Sequence, residues 1–386
     1  MSEFRKLALS KLPDLPAAGV VRLAHTADNH LRLTANGSTV RGSEFLKALL
    51  SGMRKAADRG CNAIVCAGDL VNSPENLPSV ARQLLEVHRA AEDYGLPFLA
   101  IQGNHDFSKP SWIEVMSSDG NDELCSPGMH LLDNRTAYID GLRVHGLPFL
   151  QPAELREVLQ FSNLNWDVLV WHGSVTEFAK FPTEGAITLS DFTASHQAAV
   201  LLGDIHICEY YQHDTAGGIG YPGATELCKR DEPLTHGIVL LDFARTPTGW
   251  ACIGTEHVPT WFRPVTALNI QREDEMPKIL ADLADDWART NEPRLVIAQY
   301  MSDLVDVRAR LQRAAGPESI VRAEGYKGAT IPVTAQHLRD APSPASYIPG
   351  AISDTGLATL ATQLAEDPDV SPSTLLNAYV AQFTAK

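Results

Sequence analysis

The chain has no apolar run near the roughly 18 residues that a membrane-crossing helix requires, so no membrane role is expected. It has no C-x-x-C pair: its six cysteines, at 61, 66, 125, 208, 228 and 252, sit mostly in apolar runs. They read as reduced, buried thiols rather than a disulfide framework or a structural zinc site. It also has little positive charge, since a net −15 excludes a broadly basic nucleic-acid binder. A nucleic-acid partner is then compatible only if bound cations or a second subunit meet the phosphates. The opening stretch MSEFRKLALSKLPDLPAAGVV breaks its short apolar pieces with charges and prolines, unlike a secretory leader. Internal repeats and low-complexity tracts are lacking as well. A cytoplasmic protein is the expectation.

What is present is a 386-residue chain, 44% hydrophobic and 20% charged, long enough for two domains and a tail. Five apolar runs stand out: VVRLAHTADNH, NAIVCAGDL, LPFLAIQGNHD, DVLVWHG and AAVLLGDIH. Their cores are continuous rather than alternating, which predicts strands covered on both faces. Amphipathic stretches at about 43–59 and 77–94 predict crossover helices between the first three. After residue 206, EYYQHD, GIGYPG, HGIVLLDF and WACIGTEHV, separated by glycine-rich turns, predict antiparallel hairpins. The expected class is α/β, with a mixed sandwich up to about residue 260. From 262 to 335 the pattern reads strand, helix, strand, helix, strand, a small separate unit. The Pro/Ser-rich APSPASYIPG then leads into two helix candidates.

Each of the five runs ends in Asp, Asn or His. The ends are Asp28-Asn29-His30, Gly68-Asp69, Gly103-Asn104-His105-Asp106, His172-Gly173 and Gly203-Asp204-Ile205-His206. Open α/β sheets gather binding groups at such ends. Any one of them has an ordinary explanation as a cap or a turn residue, but five in succession argue for one site. The donors are hard oxygens and imidazoles without cysteine, a mixture suited to Mn²⁺, Fe or Zn²⁺. Seven candidates exceed the needs of one ion. They suit two ions about 3.5–4 Å apart that share a carboxylate.

The order D-x-H, G-D, G-N-H-D, H-G, G-x-x-H resembles that of the calcineurin-like metallophosphoesterase superfamily. Within it, HTADNHLR and YPGATELCKRDEP, with the small α/β unit and the tail, resemble SbcD-type DNA-repair nucleases. The resemblance implies a metallophosphoesterase β-sandwich flanked by helices over 1–260, an α/β cap domain over 262–335, and a linker with a helical tail over 342–386. It implies that Asp28, His30, Asp69 and His206 hold one divalent metal, most simply Mn²⁺ with Mg²⁺ as the other choice. Asp69, Asn104, His172 and Asp204 hold the second. His105 then acts on the leaving oxygen, and Asp106 orients it. The implied substrate is DNA and the implied partner an SbcC-type SMC-like ATPase, with a homodimer possible, in a bacterial or phage-infected cell. The tail places Leu357, Leu360 and Leu364 on one helical face and Leu375, Leu376, Tyr379, Val380 and Phe383 on another, apolar stripes that either pack against the chain's own domain or, as the resemblance implies, dock the ATPase.

Two residues depart from the family pattern. The fifth motif reads G-D-x-H rather than G-H-x-H, which places Asp204 where a histidine is usual and makes the site harder. Asn72 stands where some relatives have a histidine, so a second acid-base imidazole is missing there. Two other readings stay open. A small-substrate phosphatase or cyclic-nucleotide phosphodiesterase would use the same ions without needing cap or tail. A non-catalytic scaffold would tolerate a weakened site.

Overall fold

The computed structural model describes residues 4–326, apart from 74–76, 109–110, 112, 114–123, 161–165, 180–185, 196, 214–216, 229–231, 233–234 and 302–303. The linker and tail expected over 342–386 lie outside the described residues.

The five apolar runs are strands: β2 (Val20–Thr26), β3 (Ala63–Cys66), β4 (Pro97–Ala100), β8 (Val168–His172) and β9 (Ala199–Gly203). The expected helices are α1 (Thr39–Asp58) and α2 (Leu77–Asp93). The Ser38 side chain caps α1 by accepting from the Arg41 amide. Phe45, Leu49, Met53 and Ala56 form its buried stripe. The remaining strands of the sandwich are β1 (Arg5–Lys6), β5 (Gly128–Leu131), β6 (Thr136–Ile139), β7 (Leu142–Gly146), β10 (Glu209–His213), β11 (Gly217–Tyr221), β12 (Gly237–Thr246) and β13 (Gly249–Pro259). A further helix, α3, spans Pro152–Gln160.

These strands make two sheets. One has six strands in the order β13-β12-β2-β3-β4-β5, the other seven in the order β1-β10-β11-β9-β8-β7-β6. Strands β2, β3, β4 and β5 run parallel, as do β7, β8 and β9. The two expected hairpins, β10–β11 and β12–β13, are antiparallel. Beyond its hairpin, β11 also pairs with β9, and that pairing is parallel.

Residue alternation explains why the runs are continuously apolar. In β3, Ala63 and Val65 enter a core together with Leu169's neighbours Val168 and Val170 from the other sheet. Ile64 and Cys66 enter a second core with Phe45, Leu49, Val80 and Leu84 of the helices. On the far side of the seven-stranded sheet, Leu169 and Trp171 pack with Leu155 and Phe192. Each central strand is covered on both faces, so β3, β4 and β9 are apolar throughout and β8 is apolar until His172, while β2 also buries Arg22, His25 and Thr26. A buried bidentate pair joins β2 to β12: Arg22 Nε and Nη2 donate to Asp242 Oδ1 and Oδ2 at 2.6 and 2.8 Å. Arg22 Nη1 donates to the carbonyls of Pro13, Asp14 and Arg59, so every charged group there is partnered.

After β13 come β14 (Val265–Ile270), α4 (Met276–Thr290), β15 (Leu295–Met301), α5 (Val307–Ala315) and β16 (Ile320–Tyr326). The strands form a sheet of order β14-β15-β16. The chain divides into two compact units. Among the described residues, one comprises 4–267, Asn291–Ile297 and Pro317–Ile320, and the other Leu268–Thr290, Ala298–Gly316 and 321–326. Among the described residues, no helix is long and apolar enough to cross a membrane.

Candidate metal centre

The loops after β2 and β3 run side by side. The Asp28 amide donates to the Gly68 carbonyl at 3.1 Å, and the His30 amide to the Asp69 carbonyl at 2.9 Å. Three residues turn through left-handed backbone here, Asp28 (φ 53°), His30 (φ 47°) and Asp69 (φ 53°). Asp and His are among the non-glycine residues that tolerate this region best. Asp204 goes further, to φ 106°, a strained value for any side-chain-bearing residue. Two glycines let the loops approach. A Cβ at Gly103 would lie 2.2 Å from Asp69 Oδ1, and one at Gly203 would lie 2.0 Å from the Ala67 carbonyl oxygen.

The side chains converge in three groups whose ligand atoms lie within 4.8 Å of one another: Asp28, Asp69 and His172; His30, Asp69 and His105; His30, His206 and Cys228. Asp69 belongs to two of them. Its Oδ1 is 3.5 Å from His172 Nε2 and its Oδ2 is 3.8 Å from His30 Nε2. His172 is fully buried, and its Nδ1 lies 2.7 Å from the Ala67 carbonyl oxygen. A carbonyl can only accept, so Nδ1 carries the proton and the Nε2 lone pair faces inward. That lone pair meets Asn104 Oδ1 at 3.0 Å. His206 repeats the arrangement. Its Nδ1 is 2.5 Å from Glu232 Oε1, and its Nε2 is 3.3 Å from His30 Nε2 and 3.7 Å from Asp28 Oδ1. Carboxylates and carbonyls that orient imidazoles in this way are a regular outer layer of metal sites.

The electrostatics point to one deficit. Burial pushes the Asp28 carboxyl up to about 6, and the nearby His206 and His172 do not offset it. Burial opposes protonation of His206, but its hydrogen bonds to Cys228 and Glu232 and the charge of Asp28 outweigh burial and raise it to about 11. His172 is likewise raised, by Asp69, Asp28 and Asp204 against its own burial. His30 is held well below its ordinary value by burial and by its histidine and arginine neighbours, and it keeps an unbonded Nδ1. Electron-rich atoms face one another across short gaps and draw protons in. Divalent cations fit this donor set of carboxylate oxygens, an amide oxygen and imidazole nitrogens.

Asp204 lies at the edge of the group. Its amide is 3.2 Å from both oxygens of Asp28, and its carboxylate accepts from the Ser174 hydroxyl. His105 is exposed. Its amide donates to Asp69 Oδ1 at 2.9 Å, and its ring stands edge-on to His30 with 5.0 Å between centroids. One expectation is corrected here. Asp106 does not orient His105. Its buried carboxylate is taken up by two backbone amides, with Oδ1 accepting from Gly103 at 2.7 Å and Oδ2 from Val71 at 3.1 Å. The His105 ring instead meets the Asn72 carbonyl oxygen at 2.9 Å through Nδ1. Asn72, noted for the histidine it replaces, thus contributes its backbone. Glu232, Cys228 and Ser174 are the residues that spacing alone did not bring forward.

The family model described as calcineurin-like phosphoesterase matches residues 21–213, a stretch that holds all seven expected ligands. Among curated proteins, the DNA double-strand break repair protein Mre11 of Haloferax volcanii is 32% identical over 231 residues, 58% of this chain and 50% of that protein. The protein of the same name from Halobacterium salinarum is 27% identical over 247 residues, 62% of this chain and 61% of that one. The one from Methanosarcina acetivorans is 28% identical over 232 residues, 57% of this chain and 37% of that one. The chain thus spans about half the length of the curated relatives it matches.

Proposed function

The chain belongs to the calcineurin-like phosphoesterase family, and from that premise we propose that it is a DNA nuclease whose paired divalent cations hydrolyse phosphodiester bonds. The observation that carries this reading is the position of Asp69, whose two oxygens face His172 and His30 at 3.5 and 3.8 Å. Asp28, His30, Asp69 and His206 hold one cation, and Asp69, Asn104, His172 and Asp204 the other. For Asp204 this assigns the carboxylate that also accepts from Ser174. Manganese suits the mixture of hard oxygens and imidazoles, and magnesium is the alternative. When bound, the pair neutralises nonbridging phosphate oxygens and lowers the pKa of an attacking water.

The remaining work falls to the chain itself. His105, exposed beside the cluster, is placed to meet the departing oxygen with a proton. Its Nδ1 donates to the Asn72 carbonyl and so orients the ring, leaving Nε2 to carry the proton toward the departing oxygen. No serine or cysteine nucleophile is required. DNA as the substrate is supported by the relatives named for double-strand break repair. The net charge of −15 argues for help in holding DNA, and an SMC-like ATPase of the SbcC type is the partner we assign, with a second copy of this chain completing the assembly.

The test offers linear duplex DNA, hairpin DNA and a small aryl phosphodiester to the metal-free chain with Mn²⁺, Mg²⁺ or EDTA. DNA cleavage that EDTA abolishes and Mn²⁺ restores best is the expected result. Turnover of the small diester with DNA left intact would move the assignment to a small-substrate phosphodiesterase.

A further inference from the structure

Cys228 stands outside the seven-residue set, yet its thiol shares a 4.8 Å cluster with ring nitrogens of His30 and His206. Its backbone and that of its neighbour Leu227 are both bonded to buried charged groups. Glu232 Oε2 accepts from the Cys228 amide at 2.7 Å, while Oε1 of the same carboxylate takes the His206 Nδ1 proton at 2.5 Å. Arg41 Nη2 donates to the neighbouring Leu227 carbonyl at 2.9 Å and to Glu226 Oε1 at 3.0 Å. One carboxylate thus sets both the backbone under the thiol and the tautomer of the imidazole beside it. A second observation is independent of the cysteine: His30 is 4% exposed and faces this end with Nε2, 3.3 Å from His206 Nε2, an approach of two imidazole nitrogens that a shared cation accounts for. At present the thiol donates to the Glu226 carbonyl at 3.4 Å, a weak bond that a stronger partner can displace.

We propose that Cys228 makes the His30–His206 end of the centre a thiol-bearing site for a borderline-soft cation such as Zn²⁺. The end formed by Asp69, Asn104 and Asp204 offers mainly oxygen and stays selective for hard ions. The inference rests on the reading that His30 and His206 share a cation. On binding, the S–H bond breaks heterolytically, the proton leaves to solvent, and a sulfur lone pair forms the bond to the cation, with nothing oxidised. Two imidazoles and a thiolate would fill three positions, and Asp28, whose Oδ1 is 3.7 Å from His206 Nε2, would supply the fourth, giving the closed shell of a structural zinc site rather than the open one hydrolysis needs. Zinc would therefore occupy and silence this end, while manganese, with low affinity for sulfur, would leave the thiol aside.

The test adds Co²⁺, a spectroscopic stand-in for zinc, to the metal-free full chain and to Cys228→Ser, with Cys228→Ala as the alternative if serine impairs folding. The wild type is expected to show visible ligand-field bands together with a near-ultraviolet sulfur-to-cobalt charge-transfer band, and both cysteine variants the ligand-field bands alone. Zinc affinity should fall at least about tenfold in the variants, since even changes outside the ligand shell cost 10–100-fold. Manganese affinity should not change. A charge-transfer band that persists in both variants, or is missing from a wild type that still shows ligand-field bands, overturns the inference while leaving the shared cation in place. Absence of all cobalt bands from the wild type removes the shared cation and the inference together.

Discussion

The backbone amide of His105 donates to Asp69 Oδ1 across 2.9 Å, so the loop after β4 is bonded to the carboxylate that lies between the two imidazole groups. Asp69→Ala should remove that tether and the shared donor in one step. The expected outcome is loss of both cations together, read as metal content by mass spectrometry, with loss of hydrolysis. A variant retaining one full equivalent of manganese would show that Asp69 serves a single ion.

His105→Ala should separate chemistry from binding. The ring is exposed and its described hydrogen bond is to the Asn72 carbonyl, so its removal costs little stability. Activity should drop by about 10²–10⁴-fold, the range of a general acid or base, while manganese titration stays near that of the wild type. Because His105 also lies in a cluster with His30 and Asp69, a parallel fall in manganese affinity would reassign it as a ligand.

Asp106→Ala should behave differently from His105→Ala. It deprives the amides of Gly103 and Val71 of a buried acceptor. Leaving buried donors unmatched costs about 1–3 kcal/mol, so denaturant unfolding should show that loss. Asn104 follows Gly103 directly, so the manganese dissociation constant should rise as well. Unchanged stability with lost activity would return Asp106 to a direct role in the chemistry.

Burial pushes His25 down to about 3. Its folded-state value therefore lies below the unfolded one near 6.5, and the fold favours the neutral ring. That contribution is fully present above about pH 6.5 and is lost as the pH falls toward 3. One proton of difference gives a slope of about 1.4 kcal/mol per pH unit across the window. His25→Phe should lower stability at pH 7, because Tyr210 loses its partner, and should flatten the dependence between pH 6 and 4. Parallel pH profiles for the two proteins would contradict this account.

The central strands and the site were legible for the same reason. Val65, Leu99 and Val170 pack in one core while Ile64, Phe98 and Leu169 pack in others, so their runs are unbroken and their polar ends conspicuous. Shorter elements carried no such mark. The strand Gly128–Leu131 has four residues, and Thr136–Ile139 alternates buried Ala137 and Ile139 with exposed Tyr138 at a sheet edge. The parallel pairing of β11 with β9 runs through Gly218 and Gly220, which have no side chains to announce a partner. The fate of Asp106 depended on an amide 35 residues earlier in the chain, and Glu232 reaches His206 across 26 residues without a motif. Such pairings are made by the tertiary fold, and local pattern does not carry them.

The candidate ligands come from both sheets. Asp28, Asp69 and Asn104 follow strands of the six-stranded sheet, whereas His172 ends one strand of the seven-stranded sheet and His206 follows another. Cations held among them would cross-link the two halves of the sandwich at one rim, as a clasp does. Mass action then ties folding to metal supply: each site filled at 100 times its dissociation constant adds about 2.7 kcal/mol. Chelation should accordingly lower the melting temperature as well as stop hydrolysis, and amide exchange should quicken first in the loops after β2, β3 and β9, where the two sheets would lose their common fastening.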